Sequence, residues 1–422
     1  MADSPNTVAT LNGLFKTVYA DKLIDLIPDF AILQKKIAFV PSDKETGAFY
    51  AQPVVLSHEA GFSYNGTAGG VTPLLDARNG VMKEAQIYGS ELVLRSQLSY
   101  SALTRAAGGG KQAFKKASSF KVEDMNNASR KRLEIAMLYG QDSVGAVLTN
   151  GGGTTSYTIT LSAASWAGGI WAGAEGAQVD IFTSNKATQR NGSGTLTIAS
   201  VDSDARQLVL TASSSGDIDD CVATDVICFR GSTVATPTYN EMAGLSTIIQ
   251  NSGTLFGISA STYSLWKGTT ISSVGQISFA KLQDAVGRAS NKGLMEKVLV
   301  LVSPKAWAVL NSDQAALRVF DSSFKSSKSE NGAEGLMFHG LCGPMEVVSH
   351  PMVKDGDAFI VPPDSIMRIG SVDLSFGVPG FSDQFLLPVQ GSSAVELQCH
   401  ADQAIFCERP AHCVMLQGIT YS

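Results

Sequence analysis

Charge is scarce in this sequence. Only 17% of its 422 residues are charged, against 44% hydrophobic, a balance expected where much of the surface is buried against other chains. Histidine is scarcer: His58, His339, His350, His400 and His412 are the whole set, and they stand in no recognisable triad order. Also missing is any run of about 20 apolar residues, so no helical membrane span is expected. The opening MADSPNTVATLNGLF carries Asp3 and no early Lys or Arg ahead of an apolar run, and does not read as a signal peptide. The cysteines Cys221, Cys228, Cys342, Cys399, Cys407 and Cys413 are scattered without the compact spacing of a disulfide framework, so free thiols made in a reducing cytosol are expected. A net charge of -6 argues against a general nucleic-acid binder but leaves room for local basic patches.

The motifs of an enzyme are absent too. GFSYN and GISAS both lack the second glycine of a nucleophile elbow. Gly110-Lys111 is followed by Gln112, and Arg105 stands where a phosphate-binding loop needs its first glycine. NGSGTLT is a hairpin turn rather than a dinucleotide fingerprint. No catalytic or cofactor-binding residue is assigned, and no cofactor is expected. Cys399, His400, Cys407, His412 and Cys413 would converge if the C-terminal strands are neighbours, but their spacing fits no common zinc pattern. Alternation with Val395 and Leu397 makes Cys399 a small core residue instead. Asp217, Asp219, Asp220 and Asp225 lack the ligand order, central glycine and distal glutamate of a calcium loop, and a solvated turn is the simpler reading. No metal site is assigned.

What the chain does have is a spine. A length of 422 residues predicts two or three domains sharing one long element, and 41 glycines with many Ser and Thr predict turn-rich β structure around it. Lys111 to Gly140 reads as that element. Val122, Met125, Ser129, Leu133, Ala136 and Met137 recur at helical steps and form one stripe. The other face is basic, with Lys111, Lys115, Lys116, Lys121, Arg130, Lys131 and Arg132 opposed only by Glu123, Asp124 and Glu134. That face reads as a solvated helix surface or as a sequence-independent contact with a polyanion.

Ahead of the spine, Thr7 to Ile37 alternates short helical patterns with breakers at Pro28 and Pro41, as an arm would. From Gly47 to about Tyr100 the chain reads as a strand (AFYAQPVVL), a Gly-rich tip (SYNGTAGGVTPLLDARNG) and a second strand region (EAQIYGSELVLRSQLSY). Such a hairpin is too thin to bury its own apolar positions, and a partner subunit is expected to cover it. Gly108, Gly109 and Gly110 separate it from the spine. Beyond the spine, TSYTITL, QVDIF, GTLTIASV, RQLVLTA and DVICFR predict a small antiparallel barrel or sandwich over Thr149 to about Thr236, self-contained and net negative. Mixed α and β structure follows Pro237. Phe279 to Ser290 is an amphipathic helix, Lys297 to Ser303 a buried strand, and Pro304 opens another helix through Leu310 and toward Leu317. SSFKSSKSENGAEG is a polar loop, GPMEVVSHPMVKDGDAFIVPP reads as strand, turn and strand, and the C-terminal stretch from Ala394 reads as three short strands.

This order of parts resembles the major capsid protein of tailed bacteriophages, the fold also found in the herpesvirus capsid floor. AGLSTIIQNSGTLFGIS, Tyr263 with Trp266-Lys267-Gly268, KVLVLVSPKAWAVL, EVVSHPMVKDGDAFIVPPDSIMRIG and ERPAHCVMLQGI carry the resemblance, which covers most of the chain outside about residues 145 to 236. It implies an α+β fold with an N-terminal arm (1–45), an extended loop (46–100), the spine helix of a peripheral domain (101–144), an inserted β-domain (145–236), a mainly axial domain (237–387) and C-terminal strands returning to both (388–422). It further implies a non-enzymatic virion protein, assembled in the host cytoplasm into hexamers and pentamers of an icosahedral shell around double-stranded DNA. Implied partners are copies of itself, scaffolding and portal proteins, packaged DNA held non-specifically and, as a further candidate, a decoration protein; no membrane is involved. Phe62, Tyr64, Val71, Leu74 and Leu75 become inter-subunit loop candidates, and Arg130, Lys131 and Arg132 candidates to line the lumen. Lys83 is the loop lysine available for the covalent lysine–asparagine link some members make, though nothing near it marks it as activated. The arm-like sequence directly after Met1 favours a separate scaffolding protein. Two alternatives stand beside this reading: another phage structural protein, such as a tail tube or decoration protein, and a cytosolic hydrolase.

Overall fold

A computed structural model of the chain describes residues 31–41, 49–67, 70–99, 111–214, 216–234, 238–313, 336–376, 387–391 and 394–421. The spine is one helix, Lys111–Tyr139, of 29 residues. Met125, Ser129, Leu133, Ala136 and Met137 of the predicted stripe are buried, and Val122 is half-buried. From Leu133 onward the helix is buried on every side, because Ile135, Leu138 and Tyr139 add apolar groups off the stripe. It stops at Gly140, where a Cβ would lie 2.2 Å from the Met242 carbonyl oxygen and 2.4 Å from that of Ala136. Only glycine lets the segment leading into the helix Leu245–Gln250 cross so close to the spine.

Tyr50–Ser57 and Val81–Ile87 pair antiparallel as the hairpin. The single second strand region expected over residues 84–100 divides at Gly89. Beyond it Ser90–Ser99 leaves the hairpin and pairs with Ala394–Cys407. A Cβ at Gly89 would lie 2.2 Å from the Asp402 carboxylate oxygen, so a larger residue at this branch point would displace that side chain. Ala394–Cys407 is one strand of 14 residues, where several short strands were expected, and it organises a five-stranded sheet. Ile366–Ser375, Ser90–Ser99 and Leu387–Pro388 all pair with it, and Phe39–Pro41 joins Ile366–Ser375 in parallel.

A second sheet of six strands runs Thr269–Ile271, Val414–Gln417, Asp357–Val361, Val298–Val302, Gly343–Ser349 and Leu336–Gly340 from edge to edge. The expected hairpin between Gly343–Ser349 and Asp357–Val361 does not form. Val298–Val302 inserts between them, parallel to the first and antiparallel to the second. Its sequence VLVLV is apolar on both faces and wholly buried, which suits the centre of a sheet rather than a flank. The helices Phe279–Ser290 and Pro304–Ser312 share a core with this sheet. Ser303 caps the second of them, its hydroxyl accepting from the Ala306 amide at 3.2 Å with Pro304 in the first turn.

The middle of the chain is a closed barrel rather than a sandwich. Gly145–Asn150, Ser156–Leu161, Gln207–Ala212, Leu196–Asp202, Gln178–Phe182 and Val226–Phe229 pair in that order and return to the first. It is not self-contained, contrary to its composition: Trp166, Ile170 and Trp171 belong to the same hydrophobic core as Leu133, Met137 and Val353. Three backbone hydrogen bonds reinforce the junction, from Gly169 to Pro351, Asp355 to Trp166 and Gly356 to Ala164, at 3.0, 2.9 and 2.8 Å. Most of the expected arm, Gly108 to Gly110 and the SSFKSSKSENGAEG loop lie outside the described residues. Of the arm, a short helix Ile32–Lys36 and the strand Phe39–Pro41 are described.

Candidate functional site

The hairpin tip offers apolar side chains that the described residues leave uncovered. Phe62, Tyr64, Val71, Leu74 and Leu75 are 66 to 97% exposed. Between Ser57 and Val81 the described residues form no helix or strand, and the backbone is held by a few bonds: Ala60 N–H to Arg78 O, Leu75 N–H to Ser63 Oγ, and Asn65 Nδ2 to Gly70 O. Apolar side chains this exposed are unusual on a surface that faces only water.

The base of the hairpin is fixed. Ala85 and Ile87 are buried, and the Gln86 amide donates to Phe256 O at 3.0 Å. Lys83, exposed on the same strand, lies 5.3 Å from the Tyr263 ring. On the departing strand, Arg95 grips Glu396 through two bonds of 2.8 and 2.6 Å, while Gln97 and Gln398 also donate to that carboxylate. The Arg95 hydrogen bond, followed by that of Gln398, holds the Glu396 carboxyl down at about 2. A mobile-looking composition at the tip is thus mounted on a rigid root.

Charge pattern placed Glu134 on the polar face of the spine; the structure buries it completely. Its carboxylate accepts from Leu33 N–H at 2.5 Å and Gln34 N–H at 3.2 Å, and meets His350 Nε2 at 2.9 Å. His350 Nδ1 accepts from the Met352 amide at 3.1 Å, so the ring proton sits on Nε2 and points at Glu134. One side chain therefore joins the end of the arm, the spine and the segment after Gly343–Ser349.

The basic triplet is not one outward strip. Lys131 Nζ donates to Ala172 O, and burial, aided by neighbouring Arg132, brings its ammonium down to about 8. Arg132 lays its guanidinium 3.2 Å from the centre of the Phe229 ring, and burial lowers it to about 10. Consecutive helical residues point about 100° apart, so three in a row cannot share a face. Arg130, half-buried like its two neighbours, accepts from Gln34 Nε2 at its backbone carbonyl at 2.6 Å.

No family model matches the chain, and no curated protein matches it. Solved structures match over the whole length. The capsid asymmetric unit of cyanophage A-1(L) is 11% identical at a TM-score of 0.57, covering 99% of this chain and 100% of that one. The capsid of the native GTA particle is 9% identical at a TM-score of 0.52, with coverages of 99% and 100%. The fold is that of the tailed-phage major capsid proteins. The SrpI encapsulin complex from Synechococcus elongatus also aligns, at 9% identity and a TM-score of 0.44 over 99% of both chains.

Within this capsid fold the remaining candidates have structural work. Cys399 packs with Met125 and Leu397, as alternation predicted, whereas the Cys407 and Cys413 sulfurs sit 3.5 Å apart in the main core. No three metal-type ligands cluster among the described residues. Asp225 pairs with Arg190 at 2.9 Å, Asp219 accepts from Tyr157 Oη at 3.1 Å and Asp217 from the Ser214 amide at 3.0 Å. Sequence reading missed Glu134, Arg95, Glu396 and Glu241, each of which has at least one partner a hundred or more positions away: residues 33, 34 and 350 for Glu134, Arg95 and Glu396 for each other, and Arg132 for Glu241. A lone glutamate inside the apolar run RLEIAMLY was the one signal available.

Proposed function

We propose that the chain is the major capsid protein of a tailed phage, assembling as hexamers and pentamers into an icosahedral shell around double-stranded DNA. The observation that carries this is the projecting hairpin, with five exposed apolar side chains at its tip, on a chain whose whole length takes a capsid fold. In this reading residues 1–45 are the arm and 46–100 the extended loop that lies over a neighbour. The spine with the five-stranded sheet is the peripheral domain. The six-stranded sheet and its helices, mostly within 237–387, are the axial domain. The C-terminal strands divide between the two, and 145–236 is an inserted β-domain, an outer-surface candidate for a decoration protein.

The protein is structural rather than enzymatic, resides in the virion and is assembled in the host cytoplasm with scaffolding and portal proteins. Phe62, Tyr64, Val71, Leu74 and Leu75 are the inter-subunit contacts. Of the lumen candidates Arg130 is assigned to face DNA, because Lys131 and Arg132 are engaged with Ala172 and Phe229 of the barrel region. Negative-stain microscopy of the purified full chain tests the reading. Closed shells are expected; tubes favour a tail-tube protein, and dispersed particles at assembly concentrations refute it.

A further inference from the structure

A cleft of about 450 Å³ opens at the root of the hairpin, where the strand Tyr50–Ser57 passes the turns Ser264–Trp266 and Pro410–His412. Val54, Val55, Leu56, Leu265 and Trp266 give it apolar walls, and Val55 and Leu265 are 54 and 51% exposed there. Its titratable lining residues are Lys292, Glu408, Arg409 and His412. Arg409 is taken up by Glu296, Nη1 to Oε1 at 2.6 Å. Burial, followed by the nearby Arg409, holds His412 below its ordinary range, so it adds no charge at neutral pH. One cation and one anion remain. Half-buried Lys292 donates to neutral oxygens only, Thr269 Oγ1 at 2.8 Å and the Gly268 carbonyl at 3.4 Å, with the like-charged Lys267 close by. Neither Lys292 nor Glu408 has an ion pair among the described residues.

We infer that this cleft receives the hairpin tip of a second copy of the chain, with Leu74 and Leu75 against Val55 and Leu265, Asp76 on Lys292 and Arg78 on Glu408. The inference rests on the shell reading and adds to it the surface that the tip docks on. Leu74 and Leu75 are 86 and 67% exposed, and Asp76 and Arg78, next along the chain, are exposed as well. The tip thus presents two apolar groups, an anion and a cation, and the cleft presents an apolar wall, a cation and an anion. Space on the order of fifteen waters takes two leucine side chains and a carboxylate. No residue of the tip lines the cleft of its own chain, so the occupant comes from another copy. Burial of the leucines supplies most of the affinity, and the two solvent-facing ion pairs set direction and register. A contact of tip to root joins two different surfaces. Repeated around an axis it closes a ring, as the hexamers and pentamers of the proposed shell require.

Carbodiimide coupling of the full-length wild-type chain tests this, with light and heavy-isotope-labelled copies mixed in equal amounts before assembly. Mass spectrometry should find Asp76 joined to Lys292 in light–heavy pairs. A link confined to copies of one label, Lys292 joined to a different carboxylate, or shells that form with no such link overturns the proposal and leaves the shell reading standing. Dispersed particles at assembly concentrations refute both. Charge exchange gives a second measurement. Asp76→Lys and Lys292→Glu should each raise the concentration at which shells appear by about threefold or more, and the two together should restore it. No effect of the single changes, or no recovery in the pair while subunit unfolding is unchanged, also overturns the docking. Where a variant does not fold, the wild-type cross-link decides.

Discussion

Replacing Glu134 with alanine should be among the most damaging single changes in the chain. Three donors lose their acceptor at once: the Leu33 and Gln34 amides and His350 Nε2. Glu134 and His350 are both 0% exposed, so water cannot substitute without the core opening. Each stranded buried donor costs about 1–3 kcal/mol, so losing the shared acceptor of three should cost at least about 3 kcal/mol. Against a typical stability of about 5–15 kcal/mol that is a large share. Glu134→Gln retains an acceptor oxygen and should cost about half as much.

The assay that isolates this effect is hydrogen exchange read by mass spectrometry, alongside urea unfolding of the full chain. A chain of this size need not unfold in two states, so the local readout matters more than a single midpoint. Amides of Leu33 and Gln34 should lose protection in Glu134→Ala, because they are released from the spine. If both stay protected and unfolding moves by less than about 1 kcal/mol, the carboxylate is not the anchor described above.

Gly140→Ala places a methyl group against two carbonyl oxygens and should destabilise by about 1–3 kcal/mol, measured by thermal unfolding. Phe62, Leu74 and Leu75 changed together to serine should leave subunit unfolding within about 0.5 kcal/mol while closed shells disappear on sedimentation; a parallel fall in subunit stability refutes a contact role. Reversing Arg130 to Glu should lower packaged DNA or raise its release by salt, and unchanged genome content refutes a lumen position. Two carboxyls give opposite pH slopes. Glu241, held near 7 when folded, weakens the fold as pH rises from about 4.5 to 7, by up to about 3 kcal/mol, and Glu241→Gln should flatten that slope. Glu396, held near 2 by Arg95, contributes stability above about pH 4.5 that disappears as pH falls toward 2, and Glu396→Gln should remove that acid dependence.

Periodicity carried the elements whose register is local. The spine, Phe279–Ser290 and five barrel strands were legible from their repeats, and Val298–Val302 from a continuous apolar run that suits a strand buried on both faces. Pairing order was not legible. Nothing in GPMEVVSHPMVKDGDAFIVPP says that Val298–Val302 will insert between its two halves, since a turn sequence is compatible with a hairpin and with a crossover alike. Charge sign misled twice. Lys131 and Arg132 have the same charge as Arg130 but different helical directions, and Glu134 looked like a counter-ion on the surface because its true partners come from residues 33, 34 and 350. The exposure of Phe62, Tyr64, Val71, Leu74 and Leu75 was legible for the opposite reason, that apolar residues in a Gly-rich segment have few neighbours in sequence to pack against.

Under the proposed shell reading, that cluster also limits how neighbouring subunits can be held. Burying five such side chains offers on the order of 10 kcal/mol gross. Ordering about twenty residues of free backbone would cost more than that, at roughly 1–2 kcal/mol each. A contact made by a floppy tip would therefore be unfavourable. The tip must be largely shaped before docking, and the bonds from Ala60 to Arg78, Leu75 to Ser63 and Asn65 to Gly70, above a root locked by Gln86 and Phe256, are what shape it. Even so, each docking leaves only a modest surplus, so a single pair of subunits should associate weakly. Under the proposed shell reading, closure of many such contacts by symmetry would supply the stability that no one of them has.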